Sequence, residues 1–235
     1  MIVFDQVTKV YPTGNKVLDN VSFHIKEGEF VVLTGPSGAG KTSIGRLLIR
    51  DLLPSSGSIK IEGVELAELK SGQLPDLRRK VGVVFQDYKI IPDKTVFENI
   101  ALALEIINYP KKQIGDRVQH LLDLVGIPDK ANLFPIQLSG GELQRAAIAR
   151  AIVSEPKILF ADEPTGNLDD KTAGEIYQLL RAIHNLGTTV IMSTHNEKFL
   201  PGHRHIHLEK GKIMADTATS AHPKKHKDEE DKKDK

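Results

Sequence analysis

Phe30-Val31-Val32-Leu33-Thr34-Gly35-Pro36-Ser37-Gly38-Ala39-Gly40-Lys41-Thr42-Ser43-Ile44-Gly45-Arg46-Leu47-Leu48 runs from an apolar stretch through a glycine-rich turn into an amphipathic stripe. The apolar residues Phe30–Leu33 are continuous rather than alternating, which is the pattern of a strand buried on both faces. Ile44, Leu47, Leu48 and Leu52 then recur at i, i+3, i+4 and i+8, as on a helix with one buried side. Between them, Gly35 to Thr42 satisfies G-x-x-x-x-G-K-[ST] in the strand–turn–helix setting that this pattern requires. The glycines let the backbone curl so that successive N–H groups point at phosphate oxygens. The helix start adds a dipole that favours anions. Lys41 can reach the β- and γ-phosphates of a nucleotide as a point charge. The Thr42 hydroxyl, with Ser43 beside it, can ligate Mg²⁺.

Working outward, Val83-Val84-Phe85, Ile158-Leu159-Phe160 and Val190-Ile191-Met192 are further continuous apolar runs. Two more helical stripes separate them, Ile114-Val118-Leu121-Leu122-Val125 and Ile176-Leu179-Leu180-Ile183. This alternation predicts an α/β fold with a mainly parallel sheet core. The start differs. Residues 1–10 and 21–25 are short β-like segments before the turn Lys26-Glu27-Gly28-Glu29, which predicts an N-terminal antiparallel β subdomain. Residues 95–132 are mostly helical and predict a separate helical lobe, placed at about 87–155.

A second constellation ends one of the strands. Lys157-Ile158-Leu159-Phe160-Ala161-Asp162-Glu163 is apolar until its two carboxylates. An Asp at the C-terminal end of a parallel strand, beside a phosphate loop, can hold Mg²⁺. Glu163 points elsewhere, as successive strand residues do, and can position or deprotonate an attacking water.

Composition narrows the field. Lys plus Arg is 32 and Asp plus Glu is 31, a balance that argues against generic nucleic-acid binding. The last fourteen residues hold six Lys and five acids, and from Lys224 they lack apolar side chains, which predicts a disordered charged tail over 217–235. The absence of Cys removes disulfides, zinc–thiolate sites and thiol catalysis. No basic n-region followed by an apolar run opens the chain, so no signal peptide is expected. The apolar run Ile100–Ile107 is interrupted by Glu105 and is too short to span a bilayer, which takes about 20 residues. His203, His205 and His207 alternate, as on one face of a solvent-facing strand. Arg145 and Arg150 read as packing and interface charge.

Leu138-Ser139-Gly140-Gly141-Glu142 resembles the signature sequence of ABC-type ATPases. Other elements of that family appear in order. Tyr11 stands where an aromatic would stack on adenine, Gln86 where the Q-loop glutamine would touch Mg²⁺, Gly166-Asn167-Leu168-Asp169 where the D-loop would lie, and His195 where the switch histidine would contact the γ-phosphate. Asn196 follows His195 where Asp is usual. The resemblance covers residues 1–216 and implies a P-loop NTPase using ATP and Mg²⁺. The implied nucleotide contacts are Tyr11, Gly35 to Ser43, Gln86, Ser139 to Glu142 and Asp169. Thr42, Gln86 and Asp162 are the implied metal ligands, and Glu163 and His195 the catalytic pair.

Ser139 is a good N-cap and the run after Glu142 a strong helix former, so Ser139-Gly140-Gly141 forms a second anion site. In the family that site serves the ATP of the opposite subunit, implying an ATP-dependent head-to-tail homodimer. Residues 74–87, 93–101 and 134–142 are further similar to the bacterial cell-division branch. That branch implies an FtsX-like integral membrane protein as partner, cell-wall hydrolases acted on indirectly, no nucleic acid, and a place on the cytoplasmic face of the cell membrane. Tyr88, Ile90, Ile91 and Phe97 are the apolar residues expected to receive the membrane partner. A lipoprotein- or macrolide-type exporter ATPase is the alternative. A DNA-repair or chromosome-structure ATPase would insert a long coiled coil before the signature, and no heptad run is present.

Overall fold

The computed structural model describes residues 1–218. The strands are β1 (Ile2–Val10), β2 (Lys16–Ile25), β3 (Phe30–Thr34), β4 (Ser56–Ile61), β5 (Val64–Glu65), β6 (Val81–Val84), β7 (Ile158–Asp162), β8 (Thr189–Ser193), β9 (Arg204–Glu209) and β10 (Lys212–Asp216). The α-helices are α1 (Lys41–Leu48), α2 (Leu74–Lys80), α3 (Val96–Ile106), α4 (Lys111–Val125), α5 (Gly140–Ile152) and α6 (Asp170–Asn185).

The continuous apolar runs form the central sheet, in the order β10-β9-β3-β8-β7-β6. All neighbours from β9 to β6 are parallel, and β10 closes one edge antiparallel to β9. Each run serves two cores because successive strand residues face opposite sides. Phe30 and Val32 of β3 pack with the buried faces of α3 to α6, whereas Val31 and Leu33 pack with α1 and the second sheet. That second sheet, in the order β2-β1-β4-β5, is antiparallel throughout, as expected for the N-terminal subdomain. The stripes of α4 and α6 are buried at every residue read from the sequence.

Three local expectations are corrected. First, α1 ends at Leu48, so Leu52 lies beyond the helix. Arg50 adopts a left-handed φ of 52°, and the Asp51 and Leu52 N–H groups donate to the Arg46 carbonyl, which turns the chain away. Second, β2 starts at Lys16 rather than near Val21. Its first half is polar because β2 is an edge strand, where charged residues are favoured. Third, β9 is an interior strand between β3 and β10, and its histidines are half-buried rather than solvent-facing. His203 lies outside β9; its ring stacks on Phe30 at 4.3 Å and its Nε2 is 2.7 Å from the Tyr177 hydroxyl. The His207 Nδ1 is 2.9 Å from the Thr34 hydroxyl.

At the C-terminal end of the described chain, the Thr217 N–H donates to the His205 carbonyl and the Ala218 N–H to Asp216. The rest of the expected charged tail, from residue 219, lies outside the described residues.

Candidate active site

The site forms where the parallel strands end. After β3 the chain turns sharply at Gly35, whose φ is 138°. A Cβ there would run into the Leu208 carbonyl of β9, so only glycine lets the loop leave the sheet at that point. The loop closes with an Ala39 N–H to Pro36 carbonyl bond and delivers Lys41 as the first residue of α1. Gly40 caps α1 without any side-chain acceptor, leaving the helix start open to an anion.

Lys41 is buried, 6% exposed. Its ammonium donates to the carbonyls of Gly35 (2.7 Å) and Pro36 (3.2 Å) and lies 3.3 Å from Glu163 Oε1. The other oxygen of Glu163 is 2.9 Å from His195 Nδ1. Glu163 therefore sits between a buried cation and an imidazole whose side chain is 67% exposed. It does so with a left-handed φ of 46°, a conformation that a non-glycine residue holds only when its surroundings enforce it.

Asp162, 3% exposed, accepts a 2.6 Å hydrogen bond at Oδ1 from the Ser193 hydroxyl. The same hydroxyl oxygen accepts the Glu163 N–H at 2.9 Å. Ser193 escaped the sequence reading. The one signal for it was a hydroxyl residue closing the otherwise apolar run Val190–Met192, just before Thr194-His195.

A cleft of about 480 Å³ brings Ser37 to Ser43, Gln86, Glu163, Gly166 and His195 together. An adjoining cleft of about 930 Å³ holds Thr42, Gln86 and Asp162 in one wall system with Arg46, Arg78 and Lys89. A hydroxyl, an amide and a carboxylate are the hard oxygen donors that suit Mg²⁺, so the three implied metal ligands fit that ion.

The remaining expected residues lie elsewhere. Tyr11 lines neither cleft, although its hydroxyl is 3.4 Å from the Ser43 hydroxyl. Ser139 to Glu142 also line neither. They form the start of α5 as a reciprocal cap: the Ser139 hydroxyl accepts the Glu142 N–H, and the Glu142 carboxylate accepts the Ser139 N–H and hydroxyl. Those bonds from Ser139, helped by Lys130, hold the Glu142 carboxyl below the usual carboxylate range. Asp169 caps α6, accepting from the Thr172 hydroxyl and from the N–H groups of Lys171 and Thr172. Its carboxyl is lowered chiefly by Thr172.

Arg145 and Arg150 act in packing, as expected. Arg145 donates to the Val125 carbonyl and to Glu175, tying α5 to α4 and α6. Arg150 donates to the carbonyls of Tyr88 and Lys89, both in left-handed conformations just after Gln86. Burial lowers the Arg150 pKa.

The family model described as ABC transporter matches residues 18–166. The chain belongs to the ABC transporter family. Relatives named cell division ATP-binding protein FtsE are similar along nearly the whole chain. That of Streptococcus pneumoniae serotype 2 (strain D39) is 48% identical over 92% of this chain and 95% of its own. That of Bacillus subtilis (strain 168) is 48% identical over 92% and 96%. Among solved structures, the dimeric post-hydrolysis state of the ATP-binding cassette MJ0796 bound to ADP and Pi superposes with a TM-score of 0.85 at 36% identity. It covers 92% of this chain and 97% of that one. As an ABC cassette, the chain has the parallel core, antiparallel sheet and helical layer expected of a P-loop NTPase, and among its described residues no helix is long and apolar enough to cross a membrane.

Proposed function

We propose that this chain is the ATP-binding and ATP-hydrolysing subunit of an FtsE/FtsX-like complex in bacterial cell division. The observation that carries the ATPase part of the reading is the Lys41–Glu163–His195 cluster at the mouth of the phosphate loop. Lys41 and the open start of α1 hold the phosphates. Glu163 takes up the proton of a water attacking the γ-phosphorus in line, as the bond to the ADP oxygen breaks. His195, bonded to Glu163 and solvent-accessible, fixes that carboxylate and reaches the departing phosphate. Thr42, Gln86 and Asp162 would hold Mg²⁺, which would supply positive charge to the transferring phosphoryl group.

The start of α5 lines neither cleft of its own subunit, which supports its use by the ATP of a second copy in a head-to-tail dimer. Binding then closes the dimer and hydrolysis loosens it, a population shift driven by contacts made only with ATP present. The membrane partner is an FtsX-like integral protein docked near Tyr88 to Phe97. Closure at the cytoplasmic face of the membrane is transmitted through it to cell-wall hydrolases. The names of the 48% identical relatives support cell division over solute export.

Glu163→Gln tests the mechanism. Steady-state turnover should fall by about 100-fold or more, the scale of a general-base contribution. The variant should elute as a dimer with ATP and as a monomer with ADP. Near-normal turnover, or no ATP-dependent dimer, would show that Glu163 does not have this role.

A further inference from the structure

Asp162 and Ser193 are register partners across the parallel β7–β8 pair, at the ends of two strands whose residues are all buried. The Ser193 side chain touches neither cleft, yet it bonds to both acids that do. A hydroxyl has one hydrogen to give and two lone pairs to receive. Here the hydrogen goes to Asp162 Oδ1 at 2.6 Å, and a lone pair receives the Glu163 N–H at 2.9 Å. The Ser193 carbonyl shares that N–H at 3.2 Å.

The consequences differ for the two acids. Asp162 has one oxygen fixed, which sets the rotation of the carboxylate and so the direction of its other oxygen. Glu163 has its backbone N–H fixed, which holds the left-handed φ that aims its side chain at Lys41 and His195.

We infer that Ser193 is a positioning residue that orients the magnesium-binding carboxylate and the catalytic carboxylate through one hydroxyl. The inference deepens the proposed ATPase mechanism and rests on it. A residue that orients a metal ligand or a catalytic group without touching the metal is commonly worth 10–100-fold in affinity or rate.

The test compares wild type with Ser193→Ala, and with the shape-matched pair Ser193→Thr and Ser193→Val in case alanine leaves an unstable core. Metal binding is read without turnover, by electron paramagnetic resonance of Mn²⁺ titrated into protein saturated with ADP. Nucleotide binding alone is read from fluorescent ADP in EDTA. Ser193→Ala and Ser193→Val should weaken Mn²⁺ binding about tenfold or more. They should lower kcat similarly, and leave KM for ATP and metal-free ADP binding within twofold. Ser193→Thr should restore both. The inference is overturned if Mn²⁺ affinity or kcat stays within twofold of wild type, if threonine fails to exceed valine, or if metal-free ADP binding collapses in parallel. Wild-type protein that binds neither ADP nor Mn²⁺ would instead overturn the ATPase reading itself.

Discussion

Among the described residues, Lys41 has three partners: two carbonyls of its own loop and one oxygen of Glu163. A phosphate brought to the ammonium competes with that carboxylate and meets its negative charge at close range. Glu163 thus opposes phosphate binding at the position from which it is proposed to promote hydrolysis. Glu163→Gln should therefore tighten ATP binding to the monomer roughly fivefold, about 1 kcal/mol, at protein concentrations too low for an ATP-dependent dimer to form. Fluorescent-nucleotide titration of both proteins measures this, and equal or weaker binding by the variant would show that the pair does not hold Lys41 back. At this scale the sequence was legible where residue type alone dictated the local turn, as for Gly35 to Thr42, and for Asp162 ending an apolar strand; Glu163 lies past the end of β7, so its direction comes from a left-handed φ and not from the expected strand alternation. Ser193 was not legible, because a serine at a strand end has no pattern of its own. Its role arises from lateral register with Asp162, and register between parallel strands joined by a long crossover is set by tertiary packing.

The elements divide along the same line. The stripe of α4 predicts its buried face residue by residue because period 3.6 is a local property. The end of α1 and the start of β2 were misplaced because a left-handed Arg50 and a polar sheet edge depend on what lies alongside them. α1 also shows how closely an element must be seated to serve the site. A Cβ on Gly45 would fall within 3.0 Å of three ring atoms of Phe160, a fully buried residue of β7 two positions before Asp162. In an exposed helix Gly→Ala gains about 1 kcal/mol of propensity. Here overpacking of a core ring costs about 1–3 kcal/mol and outweighs that gain. Gly45→Ala should lower the Tm by a few degrees, about 2–4 °C per kcal/mol for a chain of this size. It should also weaken ATP binding, because α1 carries Lys41 and Thr42. A raised Tm in a thermal melt would mean that Phe160 gives way and that the helix–strand spacing is not fixed at Gly45.

For the whole molecule, the two buried layers leave the segment after Gln86 as the link between the nucleotide clefts and the helical layer. Arg150 of α5 grips it at Tyr88 and Lys89. Asn99 of α3, 1% exposed, grips it at Ile91: its amide nitrogen donates to the Ile91 carbonyl and its oxygen accepts the Ile91 N–H. The backbone is therefore held at both ends of residues 88–91, the first part of the stretch proposed to receive the membrane partner. The side chains there are not equivalent. Tyr88, Ile90 and Phe97 pack against the helical core, whereas Ile91 is half-buried and belongs to neither core cluster. A charge at Ile90 would disturb folding together with the proposed docking, whereas a charge at Ile91 would act mainly on that docking. Ile91→Glu should abolish co-purification with an FtsX-like membrane protein from detergent extracts while ATP affinity and Tm stay at wild-type values. Retained co-purification would place the docking surface elsewhere. Parallel loss of ATP binding would show instead that the Ile91 side chain, and not only the backbone held by Asn99, supports the fold around the clefts.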